Sequence, residues 1–181
     1  GPARAHHHAL MKGIAAGHHL PMASLKDTFL RLVLQHRLVI IDAATGSGKS
    51  TMVPLYLYEQ ALASGRDCRI VITQPRRLAA KGLAKRVSEQ CQTPVGQVVG
   101  YRVGSDKNDR QAPIVYVTVG HMLEALVHNP LHLATFSHIV LDEVHERFIE
   151  ADFLMTLLRL SLSRPETMST RIVVMSATLQ K

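Results

Sequence analysis

Apolar residues along the chain occur either in short continuous runs or at helical spacing over longer stretches. The short runs are rich in β-branched residues, which is typical of strands buried in a parallel sheet. They predict strands over residues 38–41, 68–73, 97–103, 114–118, 137–141 and 171–175. The run at residues 38–41 is apolar on both faces, so we expect it to be a buried central strand.

The stretches between these runs repeat apolar residues every three or four positions, which predicts helices with one apolar face. The predicted helices cover residues 24–36 and 49–63, carry residues 80–91 and 122–127, and continue from residue 148 towards residue 163. Residues 24–27 have the form of a capping box. In the last helix, one apolar face carries Ile149, Phe153, Leu157 and Leu160.

The alternation of these strands and helices indicates the fold class. It repeats at intervals of about 30 residues and predicts an α/β fold with a doubly wound, mainly parallel sheet. The chain has 181 residues, of which 46% are hydrophobic, so it can bury one sizeable core. We therefore expect a single domain over residues 20–181.

The first 19 residues have a different composition. They are rich in Gly, Ala and His, show no sustained period, and begin with Gly-Pro, which is typical of a scar left when an expression tag is cleaved. The neighbouring histidines do not have the spacing of ligands that converge on a metal. We expect residues 1–19 to be a disordered tail.

Charge and cysteine content limit the function classes. The formal net charge of +7 favours a polyanionic partner or, alternatively, a solvated basic face. The chain contains two cysteines, which favours a reduced, intracellular protein of unassigned compartment. No apolar run approaches the roughly 20 residues that span a bilayer. We expect a soluble protein without membrane contact.

A glycine-rich turn follows the run at residues 38–41 and predicts a phosphate-binding loop. Glycines allow the turn to aim backbone N–H groups at an anion, and the helix that follows contributes its positive end. Lys49 is expected to reach the β- and γ-phosphates, and Ser50 to ligate Mg²⁺. The strict pattern begins with Gly, where this chain has Ala43. The alternative is a chance match in a surface loop. The predicted nucleotide-binding residues here are Thr45, Gly46, Ser47, Gly48, Lys49, Ser50 and Thr51.

An acidic pair, Asp142 and Glu143, follows the strand at residues 137–141. A phosphate-loop enzyme needs a carboxylate for Mg²⁺ at the end of a nearby strand, which Asp142 supplies. Glu143 is placed to orient and deprotonate the attacking water. The alternative is an acidic helix cap. A zinc-protease motif is excluded, because Ile149 stands where a second histidine is needed.

Several strings together resemble the motifs of superfamily 2 helicases of the DEAH/RHA type. Residues 142–147, Asp-Glu-Val-His-Glu-Arg, resemble motif II of that family. In the family's order, residues 43–50 resemble motif I, Thr-Gln-Pro-Arg-Arg at residues 73–77 resembles motif Ia, residues 118–120 resemble motif Ib, and Ser-Ala-Thr at residues 176–178 resembles motif III. The similarity extends from about residue 20 to residue 178.

The resemblance implies the first RecA-like domain, a P-loop NTPase fold, of an ATP-dependent RNA helicase or RNP remodeller. It implies ATP and Mg²⁺ as cofactors, catalysis by Lys49, Asp142 and Glu143, and metal ligation by Ser50, Asp142 and Glu143. The resemblance implies that single-stranded RNA is contacted by Arg76, Arg77, Thr118 and Gly120. It implies that Arg86 stacks on the nucleotide base. It also implies that nucleotide binding is coupled to domain closure by His145, Ser176 and Thr178.

The resemblance also implies partners: a second RecA-like domain, C-terminal domains of the same protein, and protein recruiters. Because the second domain supplies an arginine finger, this chain alone is expected to bind nucleotide but hydrolyse it poorly. The chain departs from the family pattern at Val119, where Asp is usual, and at Gly104, where Arg is frequent. Two alternatives are a catalytically silent RNA-binding scaffold and a DNA translocase.

Overall fold

A computed structural model of the chain describes residues 2–146 and 149–177. Its strands are β1 (Leu38–Asp42), β2 (Ile70–Gln74), β3 (Val99–Val103), β4 (Asp106–Asn108), β5 (Ile114–Thr118), β6 (His138–Leu141) and β7 (Arg171–Ser176). Its helices are α1 (Pro2–Ala16), α2 (Lys26–Gln35), α3 (Lys49–Ala63), α4 (Arg77–Gln90), α5 (Val119–His128) and α6 (Ile149–Ser161). Short 3-10 turns occupy Pro21–Leu25, Pro130–Thr135 and Pro165–Thr167.

Within the described ranges, seven strands form one sheet in the order β1-β7-β6-β2-β5-β3-β4. Neighbouring strands pair in parallel from β1 to β3, and β4 pairs antiparallel with β3. The predicted mainly parallel α/β sheet is therefore confirmed. The short β4 lies between two predicted strands and was not itself predicted, because its three residues are polar and show no apolar alternation.

Helices cover both faces of the sheet. One buried cluster joins α1, α2, α3 and α4 to the sheet, and a second joins α5 and α6 to its other face. Neighbouring residues of a strand point to opposite faces, so Val173 of β7 packs in the first cluster and Val174 in the second. Hydrophobic residues on both faces of β7 are thus buried, as its continuous apolar run predicts.

The first nineteen residues differ from the disordered tail that we expected. Residues 2–16 form α1, in which Ala9 and Leu10 are buried against the core. Gly13 allows close packing, because a Cβ added there would lie 2.5 Å from Sγ of Cys91. His6 Nδ1 also lies 2.9 Å from the Tyr58 hydroxyl. The prediction was wrong because the histidine run hides a short apolar stripe whose partners are distant in sequence.

The position of β1 also corrects the sequence prediction. We expected a buried central strand, but β1 lies at the edge of the sheet beside β7. Val39 and Ile41 face the core, whereas Leu38 and Ile40 point outward, and Ile40 is 68% exposed. Apolar character on both faces therefore did not determine the place of this strand in the sheet.

Helix α6 turns a different face to the core from the one predicted. Its buried apolar residues are Leu154 and Leu158, and Leu157 packs against them. In contrast, Phe153 and Leu160 are exposed, and Ile149 is 90% exposed. The prediction was wrong because α6 is apolar around much of its circumference, so spacing alone does not select the buried face.

The start of α2 also differs from the predicted capping box. Leu25 occupies the cap position, and no side chain caps the helix. The Ser24 hydroxyl instead donates to the Pro21 carbonyl at 2.8 Å, within the preceding turn. Among the helices in the described ranges, none combines the length and apolarity needed to cross a lipid bilayer.

Candidate functional site at the carboxyl edge of the sheet

The parallel topology brings the predicted motifs to one edge of the sheet. Strands β1, β7 and β6 are neighbours, so the turns that follow them lie side by side. Backbone hydrogen bonds join these turns: Ala43 N–H donates to Ser176 O at 3.1 Å, and Val144 N–H donates to Met175 O at 3.3 Å. The carboxyl ends of parallel strands are the usual place for ligand sites in α/β folds.

The glycine-rich turn after β1 has the backbone that an anion-binding loop requires. Gly46 and Gly48 have φ values of 81° and 90°, which side chains disfavour. A Cβ added at Gly46 would meet nothing within 4 Å, so this part of the turn is open. A Cβ added at Gly48 would lie 2.7 Å from Cδ1 of Leu20. Thr45 is exposed, whereas Ser47 is buried.

Two contacts from outside the turn fix its position. Met22 N–H donates to Ser47 O at 2.9 Å. The hydroxyl of Tyr116, a buried residue of β5, donates to Ser50 O at 2.6 Å. Burial raises the Tyr116 pKa well above its ordinary value, and the nearby charge of Asp142 adds to the effect. Tyr116 therefore remains a hydrogen-bond donor to the first turn of α3.

Lys49 is the most unusual side chain of the turn. It begins α3 and is only 3% exposed. Among the described residues, its ammonium has no hydrogen-bond or ion-pair partner, although its charge acts on Glu143. The adjacent Ser50 is half-buried, and the Thr51 hydroxyl donates to Gly48 O at 3.2 Å. The first N–H groups of α3 have no acceptor within the helix.

The Asp142 carboxylate is buried and held at both oxygens. Its Oδ1 accepts a hydrogen bond from Glu143 N–H at 2.9 Å, and its Oδ2 accepts one from Gln74 Nε2 at 2.5 Å. Glu143 has a φ of 58°, which costs about 1 kcal/mol or more for a residue with a side chain. Such a strained backbone is typical of functional turns.

The Glu143 side chain lies between groups of both charges. Its pKa is raised by burial and by the charge of Asp142, against the opposing influence of His145 and Lys49. Nδ1 of His145 accepts a hydrogen bond from Ala177 N–H at 3.0 Å. The ring proton of neutral His145 is therefore on Nε2, which lies 3.0 Å from Glu143 Oε2 and donates to it.

His145 thus joins two motifs that are separate in sequence. It links Glu143 to the segment after β7, where Ser176 ends the strand. Thr178, predicted to act with them, lies outside the described residues. Glu143, His145 and Glu146 have possible metal-ligand atoms within 4.8 Å of one another. However, these side chains already have protein partners: His145 donates to Glu143, and Glu146 pairs with Arg76.

The residues predicted to contact single-stranded RNA lie at the carboxyl ends of β2 and β5. Arg76 pairs with Glu146 at 3.3 Å, and the Arg77 guanidinium packs against Gly104. Thr118 caps α5, because its Oγ1 accepts from His121 N–H at 3.2 Å. The four predicted residues Arg76, Arg77, Thr118 and Gly120 therefore lie on adjacent turns.

Within the described residues, no hydrogen bond or ion pair links Arg86 to the glycine-rich turn. It is exposed on α4, and its side chain makes no hydrogen bond or ion pair within the described residues. Its predicted stacking role remains a prediction.

Two residues with clear roles in this geometry were not singled out by sequence reasoning. Gln74 holds Asp142, and Tyr116 holds the start of α3. Gln74 lies inside the Thr-Gln-Pro-Arg-Arg string, so its polarity in a buried strand was the available signal. Tyr116 was hidden, since tyrosine is ordinary in a strand.

A glycine-rich turn after β1 and an acidic pair after β6, separated by β7 at the same edge of a parallel sheet, are the arrangement of a P-loop NTPase domain of RecA-like fold. The DEAD/DEAH box helicase family matches residues 25–181, and the chain belongs to that family. The predicted family resemblance is therefore confirmed.

Three helicases are among the proteins similar to this chain. The chain is 38% identical over 161 residues to the probable ATP-dependent RNA helicase spindle-E of Culex quinquefasciatus, covering 88% of this chain and 11% of the relative. It is 38% identical to human ATP-dependent RNA helicase TDRD9, covering 88% and 12%. It is 36% identical to the Arabidopsis thaliana DExH-box ATP-dependent RNA helicase DExH1, covering 88% and 16%.

A solved structure supports the same fold. The crystal structure of the Escherichia coli DEAH/RHA helicase HrpB superposes with a TM-score of 0.80 at 31% identity, covering 90% of this chain and 20% of that chain. The chain thus corresponds to a helicase motor domain and spans a small part of the length of its relatives.

Proposed function

We propose that this chain is the ATP-binding motor domain of a longer ATP-dependent RNA helicase. The observation that carries the proposal is Lys49, a buried residue that is 3% exposed and whose ammonium has no hydrogen-bond or ion-pair partner among the described residues. A bound anion would supply the hydrogen-bond acceptors and the opposite charge that this ammonium lacks within the described residues. The phosphate groups of ATP fit, because the turn and the start of α3 present N–H donors.

The same edge of the sheet offers ligands for Mg²⁺. We assign Ser50 and Asp142 to the metal, with Glu143 beside them, because hydroxyl and carboxylate oxygens are the donors that Mg²⁺ prefers. When bound, Mg²⁺ neutralises charge that develops on the transferred phosphate. The carboxylate of Asp142 is already fixed by two hydrogen bonds, so binding requires little rearrangement.

Glu143 is the proposed base for the attacking water. Its raised pKa makes it a better proton acceptor than an exposed glutamate. His145 orients it through Nε2–H and is itself held by Ala177 N–H. A change in the segment after β7 can therefore move the base. This supports the coupling role proposed for His145, Ser176 and Thr178.

The strand-binding surface is proposed from residues after β2 and β5. The Arg76 side chain is 65% exposed and can reach a phosphate, and guanidinium groups bind phosphate by forked hydrogen bonds. With Arg77, Thr118 and Gly120 it would contact the sugar-phosphate backbone of single-stranded RNA, the substrate class in the names of the relatives. Arg86 is proposed to stack on the nucleotide base.

The remainder of the longer protein completes the motor in this proposal. We propose residues 20–181 as the motor domain; the family match over residues 25–181 supports these bounds, and α1 packs onto this domain. A second RecA-like domain would supply an arginine finger, worth about 10³ to 10⁵ in rate, and C-terminal domains and recruiters would complete the assembly. We place the protein inside the cell.

Nucleotide binding by this chain tests the proposal directly. Titration with fluorescent ADP and Mg²⁺ should show binding that weakens when EDTA removes the metal. Lys49→Ala should weaken binding about 10- to 100-fold, the value of charge-assisted hydrogen bonds. Lys85→Ala, an exposed lysine of α4, is the matched control and should bind normally. Equal binding by the two variants would refute the assignment.

The longer protein tests the enzymatic part. Phosphate release should rise with single-stranded RNA and be lost in Glu143→Gln while nucleotide binding persists. No release under any condition would indicate a silent scaffold, and stimulation by single-stranded DNA instead would indicate a DNA translocase.

A further inference from the structure

Gln74 occupies a special place between the two halves of the site. It is the last residue of β2, and its exposed fraction is 1%. On one side β2 pairs with β5, where Thr118 is its register partner. On the other side β2 pairs with β6, and Asp142 N–H donates to Thr73 O at 3.2 Å. Gln74 therefore lies between Thr118, a proposed RNA contact, and Asp142, the proposed metal ligand.

The contact between Gln74 and Asp142 is buried and polar. Nε2 of Gln74 donates to Oδ2 of Asp142 at 2.5 Å, while Oδ1 accepts from Glu143 N–H at 2.9 Å. An ionised carboxylate has about four lone-pair positions, so two donors fix its plane and leave positions for a metal. Without Gln74, one oxygen would be free to rotate away or remain unsatisfied in the interior.

The choice of an amide at this position has a chemical reason. Lysine would add a positive charge that competes with a cation for Asp142, and an aliphatic residue would donate nothing. Glutamine donates a hydrogen bond while it remains neutral. It therefore orients the carboxylate without using its charge, which is what a metal ligand needs from its neighbours.

We infer that Gln74 is the positioning residue for the Asp142 carboxylate. The affinity of the site for Mg²⁺ then depends on a residue of the segment 74–77, which also carries the proposed RNA contacts Arg76 and Arg77. The inference rests on the proposed nucleotide site. Arg76 lies two residues further along and pairs with Glu146 at 3.3 Å, which makes a second bridge between the same two segments. Movement of this segment when a strand binds would therefore reach Asp142 directly.

The test compares Gln74→Met with the wild-type chain. Methionine has a similar length and shape but cannot donate. Fluorescent ADP is titrated at a series of Mg²⁺ concentrations and in EDTA. We expect the Mg²⁺ concentration for half-maximal effect to rise about 10- to 100-fold, the usual cost of losing a group that orients a metal ligand. Binding in EDTA should be unchanged, because the phosphate-binding turn is untouched.

The matched control is Gln60→Met. Gln60 of α3 donates through Nε2 to Leu30 O at 3.3 Å, so the same side-chain chemistry is removed at a partly buried position away from the site. This variant should keep the wild-type Mg²⁺ dependence. An unchanged Mg²⁺ dependence in Gln74→Met, or equal weakening in EDTA, would overturn the inference.

The outcomes separate this inference from the proposed function. If the wild-type chain does not bind ADP with Mg²⁺, the proposed function fails. If it binds and Lys49→Ala does not, while Gln74→Met matches the wild type, only the role of Gln74 fails.

A measurement on the wild-type chain covers the case in which Gln74→Met does not fold. The Nε2 protons of Gln74, assigned by NMR, should exchange slowly with solvent and change frequency when Mg²⁺ is added with ADP. Fast exchange together with no response to the metal would overturn the inference.

Discussion

Helices α3 and α6 follow the glycine-rich turn and the acidic turn of the candidate site, yet their surroundings differ. In α3, every residue from Thr51 to Tyr58 is buried, because α1, α2 and the sheet enclose it. In α6, the buried residues are Leu154, Leu158 and Ser161, and much of its apolar surface is exposed. The glycine-rich turn therefore precedes an enclosed helix, and the acidic turn precedes a more exposed one.

The difference shows where the site is rigid within this chain. Met22 N–H holds Ser47 O in the turn and the Tyr116 hydroxyl holds Ser50 O in the first turn of α3, so contacts from other elements fix both segments. Glu143 is instead held by His145, which depends on the segment after β7. The proposed function needs both properties: a turn of fixed shape to bind nucleotide and a base whose position can respond to movement.

The largest expected contrast lies between two leucines. Leu57 of α3 is fully buried, and Leu160 of α6 is exposed. Leu57→Ala should lower the free energy of unfolding by about 2–5 kcal/mol, because it leaves a cavity that the enclosed helix cannot fill. Leu160→Ala should change it by about 0.5 kcal/mol or less. Urea denaturation measures both, and similar losses would contradict the comparison.

A second contrast lies within α6 and tests which face is buried. Leu154→Ala should lower the free energy of unfolding by about 2 kcal/mol, the lower end for buried leucine, because the open side allows relaxation. Phe153→Ser should cost about 1 kcal/mol or less, since half of the residue is exposed. A larger loss in the Phe153 variant would restore the face predicted from sequence. Thermal unfolding of both variants decides.

The smallest expected effect concerns the start of α3. Tyr116→Phe removes the hydroxyl that donates to Ser50 O and should lower the free energy of unfolding by about 1 kcal/mol. Tyr101→Phe is the control, because its hydroxyl donates to exposed Asp106 at 3.1 Å and competes with water. The free energy of unfolding of Tyr101→Phe should be close to that of the wild-type chain. Equal values in urea denaturation would show that the start of α3 is not held by Tyr116.

Sequence reasoning succeeded where a feature is local. The strand at Ile114–Thr118 and the bounds of α3 agree with the prediction, because β-branched runs and a Ser-Gly stop are signals within a few residues. The glycine turn was also predictable, since only glycine tolerates its φ values readily. The capping box at residues 24–27 was wrong, because the turn from Pro21 already uses the Ser24 hydroxyl.

Features that depend on distant partners were missed. The bond from Gln74 to Asp142 joins residues 68 positions apart, and no local pattern indicates it. The packing of α1 depends on Cys91 and α3, and the buried face of α6 depends on α5 and β-strand residues across the second core. Each is settled by which surfaces meet, which spacing along the chain does not specify.

The sequence by itself determined the fold class, the order of all strands and helices except α1 and β4, and the residue types gathered at strand ends, because these follow from periodicity and from residue types with special backbone or charge requirements. The tertiary structure alone decided that β1 is an edge strand, that Lys49 is buried without a partner among the described residues, and that His145 holds Glu143. The physical reason is that burial and hydrogen-bond partnership belong to pairs of surfaces, and those pairs exist only after the sheet has assembled.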